Sequence, residues 1–348
     1  MPLNTIPESY QESMKNFPES RKHADDLLAY DNTSDRKCYN PAVTPKRPRV
    51  EPIRNPTLFE MDKLEDPIRL ENSPQVERPY SEPGLLLGTS AFTAAGWEGS
   101  FYPAGMKSRD FLPYYATQFA AVELDSTFYG TPSTSTVTAW YEKTPFDFVI
   151  AAKVPQVVTH QKMLVECEAE FDEFIDRMGL LHAKLGPLLL QFPRFSKYEI
   201  QADEFSRRLR LFLDRVKNLP TCRFVVEIRN KTWLDKQFTD LLREYNVALA
   251  LTDTSFMPRP WEMKEKFDLV TTDFVYVRWL GDRHGIEEIT RVWDRTVVDR
   301  TEELRNWVDL FKTMVANKKI LKFFAFANNH FSGNGPATVK LFWNLWKK

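Results

Sequence analysis

Several residue types that often indicate a function are scarce in this sequence. Its three cysteines, Cys38, Cys167 and Cys222, lie far apart without paired spacing. Such cysteines argue against a disulfide framework or a zinc knot, and they suit a reducing compartment. The formal net charge is −1, so the molecule as a whole has no strong electrostatic attraction for nucleic acid. A local basic patch would have to be argued residue by residue.

Long apolar runs and secretion signals are also missing. No apolar stretch approaches the roughly 20 residues that a membrane-spanning helix needs. The N-terminus, MPLNTIPES, lacks the charged start and the apolar run of a signal peptide. We therefore expect a cytoplasmic protein that has no membrane partner.

Residues 1–82 differ in composition from the rest of the chain. Eleven of the 23 prolines lie in this segment, many of them between residues 41 and 56. Proline lacks a backbone donor and is excluded from helix interiors and central strands. We predict a largely disordered arm over residues 1–82 and a folded domain over residues 83–348.

A short basic cluster lies inside the predicted arm, where Lys46, Arg47 and Arg49 stand among prolines. Such a cluster can act as a nuclear-import address or contact a phosphate, and a solvated linker has the same composition. Nuclear localisation is therefore an alternative to the cytoplasmic one.

From residue 85 onward, strand patterns alternate with helical patterns. Eight strand-like segments occur between residues 85 and 328, and most of them precede a helical stretch. This alternation predicts a parallel sheet, and eight units predict a closed TIM-like (β/α)8 barrel. The main rival, a doubly wound open sheet, would require a glycine-rich phosphate turn after the first strand. The residues that follow Leu87, GTSAFTAAG, do not form one.

Polar side chains stand at the carboxyl ends of the predicted strands. Because these ends meet at one rim of a barrel, where barrel enzymes keep their active sites, we expect the side chains to converge there. Strand alternation also places Glu227 with Arg229 on one face, and Glu123 with Asp125 on another. The predicted catalytic residues are Glu227, Glu123, His160 and Lys153. The predicted substrate-binding residues are Arg229, Arg278, Gln191, Asp125, Asp253, Tyr129, Trp233, Asn328 and Asn329.

These residue types predict chemistry on an anionic substrate. Lys153, Arg229 and Arg278 would bind anionic oxygens. One of the two glutamates would act as general base, and His160 would donate or orient a proton. A structural alternative is that Glu123 is a buried acid bonded to the backbone or to Arg278, and that Glu227 and Arg229 pair with neighbours at the barrel mouth.

Seven motifs follow one another in the region after residue 85. They are GWEGSFYP (96–103), VELDSTFY (122–129), AKVPQVVTH (152–160), LGPLLLQFP (185–193), EIRNKTW (227–233), YVRWLG (276–281) and ANNHFSG (327–333). Together they resemble the DUF72 family, also known as YecE-like proteins, over nearly the whole region. The resemblance implies a TIM-like barrel with a candidate site at its rim. It implies no reaction, because the activity of the family is not established.

The sequence departs from the family pattern at three positions. Asp125 stands where asparagine is usual, and Asn230 and Leu280 stand where histidines are common. The family fold has been likened to the barrel of endonuclease IV, which implies nucleic acid as a partner by analogy only. That type of enzyme relies on a histidine-rich metal cluster, and the scarcity of histidine here weakens a metal role at the rim.

Three classes of function remain open. The first is a hydrolase-like enzyme that acts on a phosphate-bearing or nucleic-acid substrate at the rim. The second is a non-catalytic protein that binds nucleic acid or an anionic metabolite. The third is a glycoside-processing enzyme with paired glutamates, whose carboxyl groups would lie about 5–5.5 Å or about 6.5–9.5 Å apart. We expect no cofactor; the alternative is Mg²⁺ or Mn²⁺ held by Glu123, Glu227 and Asp253.

Overall fold

The computed structural model describes residues 77–219, 221–316 and 320–348. Within these ranges eight β-strands alternate with helices. The strands are β1 (Leu85–Thr89), β2 (Ala121–Leu124), β3 (Val149–Lys153), β4 (Leu185–Gln191), β5 (Phe224–Glu227), β6 (Ala248–Thr254), β7 (Phe274–Gly281) and β8 (Lys322–Ala327). The α-helices are α1 (Phe111–Gln118), α2 (Thr134–Glu142), α3 (Glu168–Gly179), α4 (Ala202–Val216), α5 (Lys236–Glu244), α6 (Pro260–Met263), α7 (Arg283–Ile289), α8 (Thr301–Val315), α9 (Asn329–Ser332) and α10 (Gly335–Trp346).

The strands form one parallel sheet that curls into a nearly closed barrel. Neighbouring strands are hydrogen-bonded in the order β1-β8-β7-β6-β5-β4-β3-β2. The two ends of the sheet meet where the Asp125 amide donates a hydrogen bond of 3.3 Å to the Ser90 carbonyl. The predicted TIM-like barrel is therefore confirmed, with all eight predicted strands.

Gly88 on β1 allows the two ends of the sheet to approach each other. A Cβ atom there would lie 1.9 Å from the carbonyl oxygen of Ala121. We expect Gly88→Ala to push β1 away from β2 and to lower the free energy of unfolding by about 2 kcal/mol. Urea-induced unfolding measures this loss.

Gly130→Ala is the matched control for this substitution. Gly130 has an extended backbone with φ 169°, and a Cβ atom there would meet nothing within 4 Å. The control should therefore unfold like the wild-type protein. Equal stability of the two variants would contradict the close approach of β1 and β2.

Apolar side chains fill two regions, one between the strands and the surrounding helices and one inside the barrel. In the lumen, small side chains share the space with aromatic rings from β7 and β8. The lumen residues are Ala121, Ala151, Leu189, Val225, Ala248, Ala250, Phe274, Tyr276, Phe324 and Phe326. This packed lumen forms the floor beneath the carboxyl ends of the strands.

Local signals in the sequence explain several helix positions. The Ser133 hydroxyl accepts a hydrogen bond of 3.2 Å from the Thr136 amide and so caps the N-terminus of α2. Asp235 caps α5 in the same way, through the amide of Phe238 at 2.8 Å. The apolar side chains of α3 recur at helical spacing and form its buried face: Phe171, Phe174, Ile175 and Met178.

The residues that precede β1 contact the barrel. Arg78 donates two hydrogen bonds to Asp147, at 2.6 and 2.7 Å. Glu82 accepts hydrogen bonds from Trp346 at 2.6 Å and from Lys347 at 2.5 Å. Most of the predicted arm, including its basic cluster, lies outside the described residues, and the boundary at residue 82 stays a prediction. In the described ranges, no helix has the length and apolar character that a membrane crossing requires.

Candidate functional site

A charged layer lies directly above the apolar lumen. Because strand side chains alternate, the next inward position lies two residues beyond each lumen residue. Five of these positions hold Glu123 on β2, Lys153 on β3, Gln191 on β4, Glu227 on β5 and Arg278 on β7, and all five side chains are buried. The structure therefore brings together both predicted catalytic glutamates, the predicted lysine and one predicted arginine.

The guanidinium of Arg278 is the centre of this layer. It donates to both carboxylate oxygens of Glu123, at 2.7–3.0 Å. Its Nη1 donates to Glu227 Oε2 at 2.7 Å, and its Nη2 donates to Asp125 Oδ1 at 3.1 Å. The Tyr276 hydroxyl donates a further bond of 2.5 Å to Glu123. Arg278 is thus occupied by protein carboxylates and positions them, rather than facing a substrate.

The pKa values of the two buried glutamates are shifted in opposite directions. Burial raises the pKa of Glu123, although Arg278 opposes this effect. Burial alone would also raise the pKa of Glu227, but the charges of Arg278 and Arg229 outweigh it and lower that pKa. An acid with a lowered pKa is a weak base, so the geometry does not favour Glu227 as the general base.

Lys153 is a buried cation without an acceptor. Its Nζ lies 3.7 Å from the centroid of the Phe128 ring, and the residue is 8% exposed. Its ammonium group makes no hydrogen bond or ion pair with the described part of the chain. Burial is the main cause that lowers its pKa to about 8, and the neighbouring Arg278 and Arg229 add to it. Asp125 and Glu227 act in the opposite direction.

Arg229 and Asp125 lie at the outer edge of the charged layer. The Nε atom of Arg229 donates to Glu227 Oε1 at 3.2 Å, and the side chain is 33% exposed. Neither Nη atom of Arg229 has a hydrogen-bond partner among the residues that the structure describes. The side chain of Asp125 is 34% exposed, and only its Oδ1 atom is hydrogen-bonded. These two groups can therefore reach a molecule at the barrel mouth.

His160 lies beside Lys153 in a π-helical turn over Val157–Gln161. Its Nδ1 atom is 2.9 Å from the Thr159 hydroxyl, and its ring packs edge-on against Phe128 at 4.8 Å. Burial, together with the charges of Lys153 and Arg229, lowers the pKa of His160 to about 4. The imidazole is neutral at pH 7, which favours hydrogen bonding over the predicted role of proton donor.

The remaining predicted residues near the mouth have mainly structural contacts. Tyr129 is 79% exposed and contacts the ring of Phe128. The Gln191 amide donates to the Phe192 carbonyl. Asn328 donates to the Ser90 hydroxyl at 2.9 Å.

Asn329 holds the connection that follows β8. Its Oδ1 atom accepts hydrogen bonds from Trp97 Nε1 at 3.2 Å and from the Gly335 amide at 2.8 Å. Asn329 therefore joins the start of α10 to the loop after β1.

The prediction that Asp253 lines the pocket is wrong. Ala248 and Ala250 face the lumen, so strand alternation turns Asp253 towards the helices. Its carboxylate accepts a hydrogen bond of 2.8 Å from Trp307 Nε1 and pairs with Arg259. Asp253 thus joins β6 to α8 in the helical layer.

Trp233 does not join the charged layer either. Its ring stacks on Phe195 with a centroid distance of 5.7 Å, and it also packs against Phe205 at 5.0 Å. The predicted substrate-binding role of Trp233 therefore has no support from these contacts.

The alternative of a cation held by Glu123, Glu227 and Asp253 fails for the same reason. Asp253 is on the other face of its strand, and the two glutamates bind Arg278. Within the described ranges, no group of three or more histidine, cysteine or acidic side chains is arranged to hold a metal ion.

A histidine–carboxylate pair at the mouth was missed from the sequence. His330 Nε2 lies 3.0 Å from Glu287 Oε1, and His330 Nδ1 lies 2.5 Å from Asn328 Oδ1. Burial lowers the pKa of His330 although Glu287 opposes this shift. The position of His330 after the last strand was a usable signal. No such signal marked Glu287, because it lies on the short helix α7 between β7 and α8 and not at the end of a strand.

Two surface depressions lie away from the mouth. One, of about 350 Å³, is lined by residues of the β1–α1 connection and of α2. The other, of about 270 Å³, lies between the β3–α3 connection and α4. Its three arginines, Arg207, Arg208 and Arg215, pair with Glu204 or Asp172, so they are not free to bind an anion.

The chain that carries this buried charged layer matches the family model "Protein of unknown function DUF72" over residues 86–348. The chain belongs to the DUF72 family. It is 37% identical to the UPF0759 protein YecE of Escherichia coli (strain K12) over 82 residues, which are 24% of this chain and 30% of YecE. It is 28% identical to the UPF0759 protein YunF of Bacillus subtilis (strain 168) over 151 residues, which are 41% of this chain and 51% of YunF. The matches thus span about a third and about half of these relatives.

Solved DUF72 structures have the same fold. A DUF72 family protein of Thermotoga maritima MSB8 has a TM-score of 0.58 and 24% identity, over 76% of this chain and 99% of that one. A DUF72 family protein of Enterococcus faecalis V583 has a TM-score of 0.58 and 20% identity, over 76% and 96% of the two chains. These likenesses support the barrel and say nothing about its chemistry.

Proposed function

We propose that the protein is a hydrolase-like enzyme that binds a phosphate-bearing substrate at the barrel mouth. The observation that carries this proposal is Lys153, a largely buried lysine whose ammonium group makes no hydrogen bond or ion pair in the described chain. Burying a cation without a hydrogen-bonded counter-charge is costly, and an anionic ligand is the partner that would compensate its charge.

The charges around Lys153 favour binding of one anionic group. Arg278 is neutralised by carboxylates, which leaves Lys153 and Arg229 as the cations that face a ligand. The Nη atoms of Arg229 present the geometry that suits two oxygens of one phosphate. The nearby ammonium of Lys153 would bind a third oxygen. A terminal phosphate fits this pair better than the backbone of a long nucleic acid, which needs a series of cations.

Hydrolysis requires a base that can reach water beside the phosphate. The oxygens of both glutamates are occupied by Arg278, Arg229 and Tyr276. Asp125 is the partly exposed carboxylate, and we assign the base role to its Oδ2 atom. The same occupation of the glutamates disfavours the glycoside alternative, in which both carboxyl groups must reach the sugar.

Binding of inorganic phosphate tests the anion site. We expect phosphate to raise the melting temperature of the wild-type protein, because a ligand of the native state stabilises it, by about 2.7 kcal/mol at 100 times Kd. Lys153→Met and Arg229→Met should each weaken binding at least about tenfold, in line with a lost charged hydrogen bond. Lys197→Met is the control, since Lys197 Nζ lies over the ring of exposed Tyr198 and makes no hydrogen bond or ion pair with the described residues. Absence of a phosphate-dependent shift in the wild-type protein would refute the site.

The hydrolytic role of Asp125 is tested separately with p-nitrophenyl phosphate. Asp125→Asn should keep phosphate binding and lose turnover, because an amide cannot accept the proton of water. Asparagine is the residue that the family resemblance leads one to expect at this position. Turnover that survives in Asp125→Asn would remove Asp125 as the base while leaving the anion site intact.

A further inference from the structure

We propose that the Lys153 amine forms an imine with aldehydes or ketones that carry a phosphate group. This inference rests on the phosphate site proposed above and adds a covalent activity to it. The amine would act on the carbonyl carbon while Arg229 holds the phosphate of the same molecule. The substrate class would therefore be phosphorylated carbonyl compounds.

Lys153 and Lys184 are the two buried lysines of the described chain, and their surroundings differ. Lys184 Nζ donates to the carbonyls of Tyr141 and Thr144, at 2.5 and 2.7 Å. Both lysines lie over an aromatic ring, that of Tyr141 for Lys184 and that of Phe128 for Lys153. Lys153 alone of the two has its Nζ free of hydrogen bonds. A nitrogen without hydrogen-bonded acceptors can turn its lone pair towards a carbonyl carbon.

The groups around Lys153 also suit an amine nucleophile. They are the ring of Phe128, the imidazole of His160, the carboxylates of Asp125 and Glu227, and the guanidinium groups of Arg229 and Arg278. With a pKa near 8, about one amine in ten is neutral at pH 7, compared with about one in three thousand for an ordinary lysine. Desolvation of a lysine is a known way to activate it for imine formation.

The reaction is balanced without an oxidant or a reductant. The Nζ lone pair forms a bond to the carbonyl carbon, and the electrons of the C=O π bond move to oxygen. The resulting carbinolamine loses its oxygen as water, which carries away both amine protons, and a C=N bond remains. Asp125 is the group that we assign to carry protons from nitrogen to oxygen. Water reverses the condensation and regenerates the free lysine.

Trapping with glycolaldehyde phosphate and borohydride tests the imine. The full chain is treated with the aldehyde, the imine is reduced to a stable amine, and the labelled lysine is identified by peptide mass spectrometry. We expect Lys153 to be labelled at least about tenfold faster than Lys184 or Lys197, as its larger neutral fraction and open Nζ require. Unphosphorylated glycolaldehyde should label Lys153 more slowly, and inorganic phosphate should protect it.

Lys153→Arg separates the covalent role from charge. This variant keeps a cation for phosphate and cannot form an imine, so it should retain the phosphate-dependent melting shift and show no adduct at position 153. If phosphate stabilises the wild-type protein and the adducts fall only on exposed lysines, the imine proposal is overturned and the proposed phosphate site stands. If glycolaldehyde labels Lys153 as fast as its phosphate ester does, without protection by phosphate, the phosphate site is refuted. Absence of both effects refutes both proposals.

Discussion

Arg278→Met is expected to destabilise the barrel by about 3–5 kcal/mol, the loss seen when one partner of a buried ion pair is removed. The substitution leaves Glu123 and Glu227 buried without the guanidinium that binds both of them. Tyr276 still donates to Glu123, but one neutral hydrogen bond does not replace an opposite charge. Chemical denaturation at pH 7 measures the loss.

The loss should depend on pH. In the wild-type protein the pKa of Glu227 is lowered, so its contribution to stability is present above the unfolded pKa of about 4.3 and is lost as pH falls through the folded value. In Arg278→Met, burial without a counter-charge should raise the folded pKa of Glu227 above the unfolded value and raise the pKa of Glu123 further. The variant then gains stability as pH falls towards 4, and its difference from the wild-type protein should shrink there.

Two further variants keep this prediction specific. Arg215→Met removes a largely exposed ion pair with Asp172, which is expected to contribute less than about 1 kcal/mol. Adding Glu123→Gln and Glu227→Gln to Arg278→Met removes the uncompensated charges and should recover part of the lost stability. An Arg278→Met protein that unfolds like Arg215→Met would show that the buried cluster has little energetic weight.

The barrel could be predicted because its signal repeats along the chain. Each strand is a short apolar run followed by a helical pattern, and eight such units have few alternative topologies. The inward position of Glu123 and Glu227 followed from strand alternation together with the helices that cover the outer face of a barrel. Arg278 was expected at the same rim and as an alternative partner of Glu123, whereas its bond to Glu227 was not predicted. These predictions needed local periodicity and one global assumption, the closure of the sheet.

Asp253 shows where the same rule was not applied. Its place at a strand end suggests the rim, but the end of a strand does not by itself determine which face of β6 a residue occupies. The small side chains of Ala248 and Ala250 mark the lumen face of β6. Asp253 lies an odd number of residues from both, so strand alternation predicts that it faces the helical layer. Its partner Trp307, which lies on α8, could not have been named from the sequence.

Side-chain contacts made by the segments that connect strands and helices could not be predicted from the sequence. The ring of Phe128, in the connection that follows β2, lies 3.7 Å from Lys153 Nζ at the end of β3, and nothing in the sequence spacing fixes that distance. His330 meets Glu287 across 43 positions of the chain through the short helix α7. Side-chain contacts of this kind depend on the packing of irregular segments, for which the sequence has no periodic signal.

Lys153→Met is expected to stabilise the protein at pH 7 by about 2 kcal/mol. Burial lowers the pKa of Lys153 to about 8, which corresponds to a cost of about 3 kcal/mol for keeping the ammonium charged in the native state. Loss of the interaction with Phe128 offsets about 1 kcal/mol of the gain. The same substitution should weaken phosphate binding at least about tenfold, as expected where a functional site is built at the expense of stability.

Lys184→Met is the matched control, and we expect the opposite sign. Lys184 is also buried and also lies over an aromatic ring, but its ammonium donates to the carbonyls of Tyr141 and Thr144. Methionine would leave these acceptors without their donor, at a cost of about 1–3 kcal/mol. Thermal and urea unfolding of both variants at pH 7 decide between the two signs.

The pH dependence separates a desolvated charge from simple repacking. Between pH 8 and about 10.5 the unfolded chain binds a proton at Lys153 that the native state has lost, so the stability contributed by this residue rises with pH across that window. The advantage of Lys153→Met over the wild-type protein should therefore be full below pH 8 and disappear by about pH 10.5. A gain that stays constant over this range would mean that methionine only packs better. A loss of stability at pH 7 would mean that the native protein already supplies Lys153 with a partner, and the reason to place an anion there would be gone.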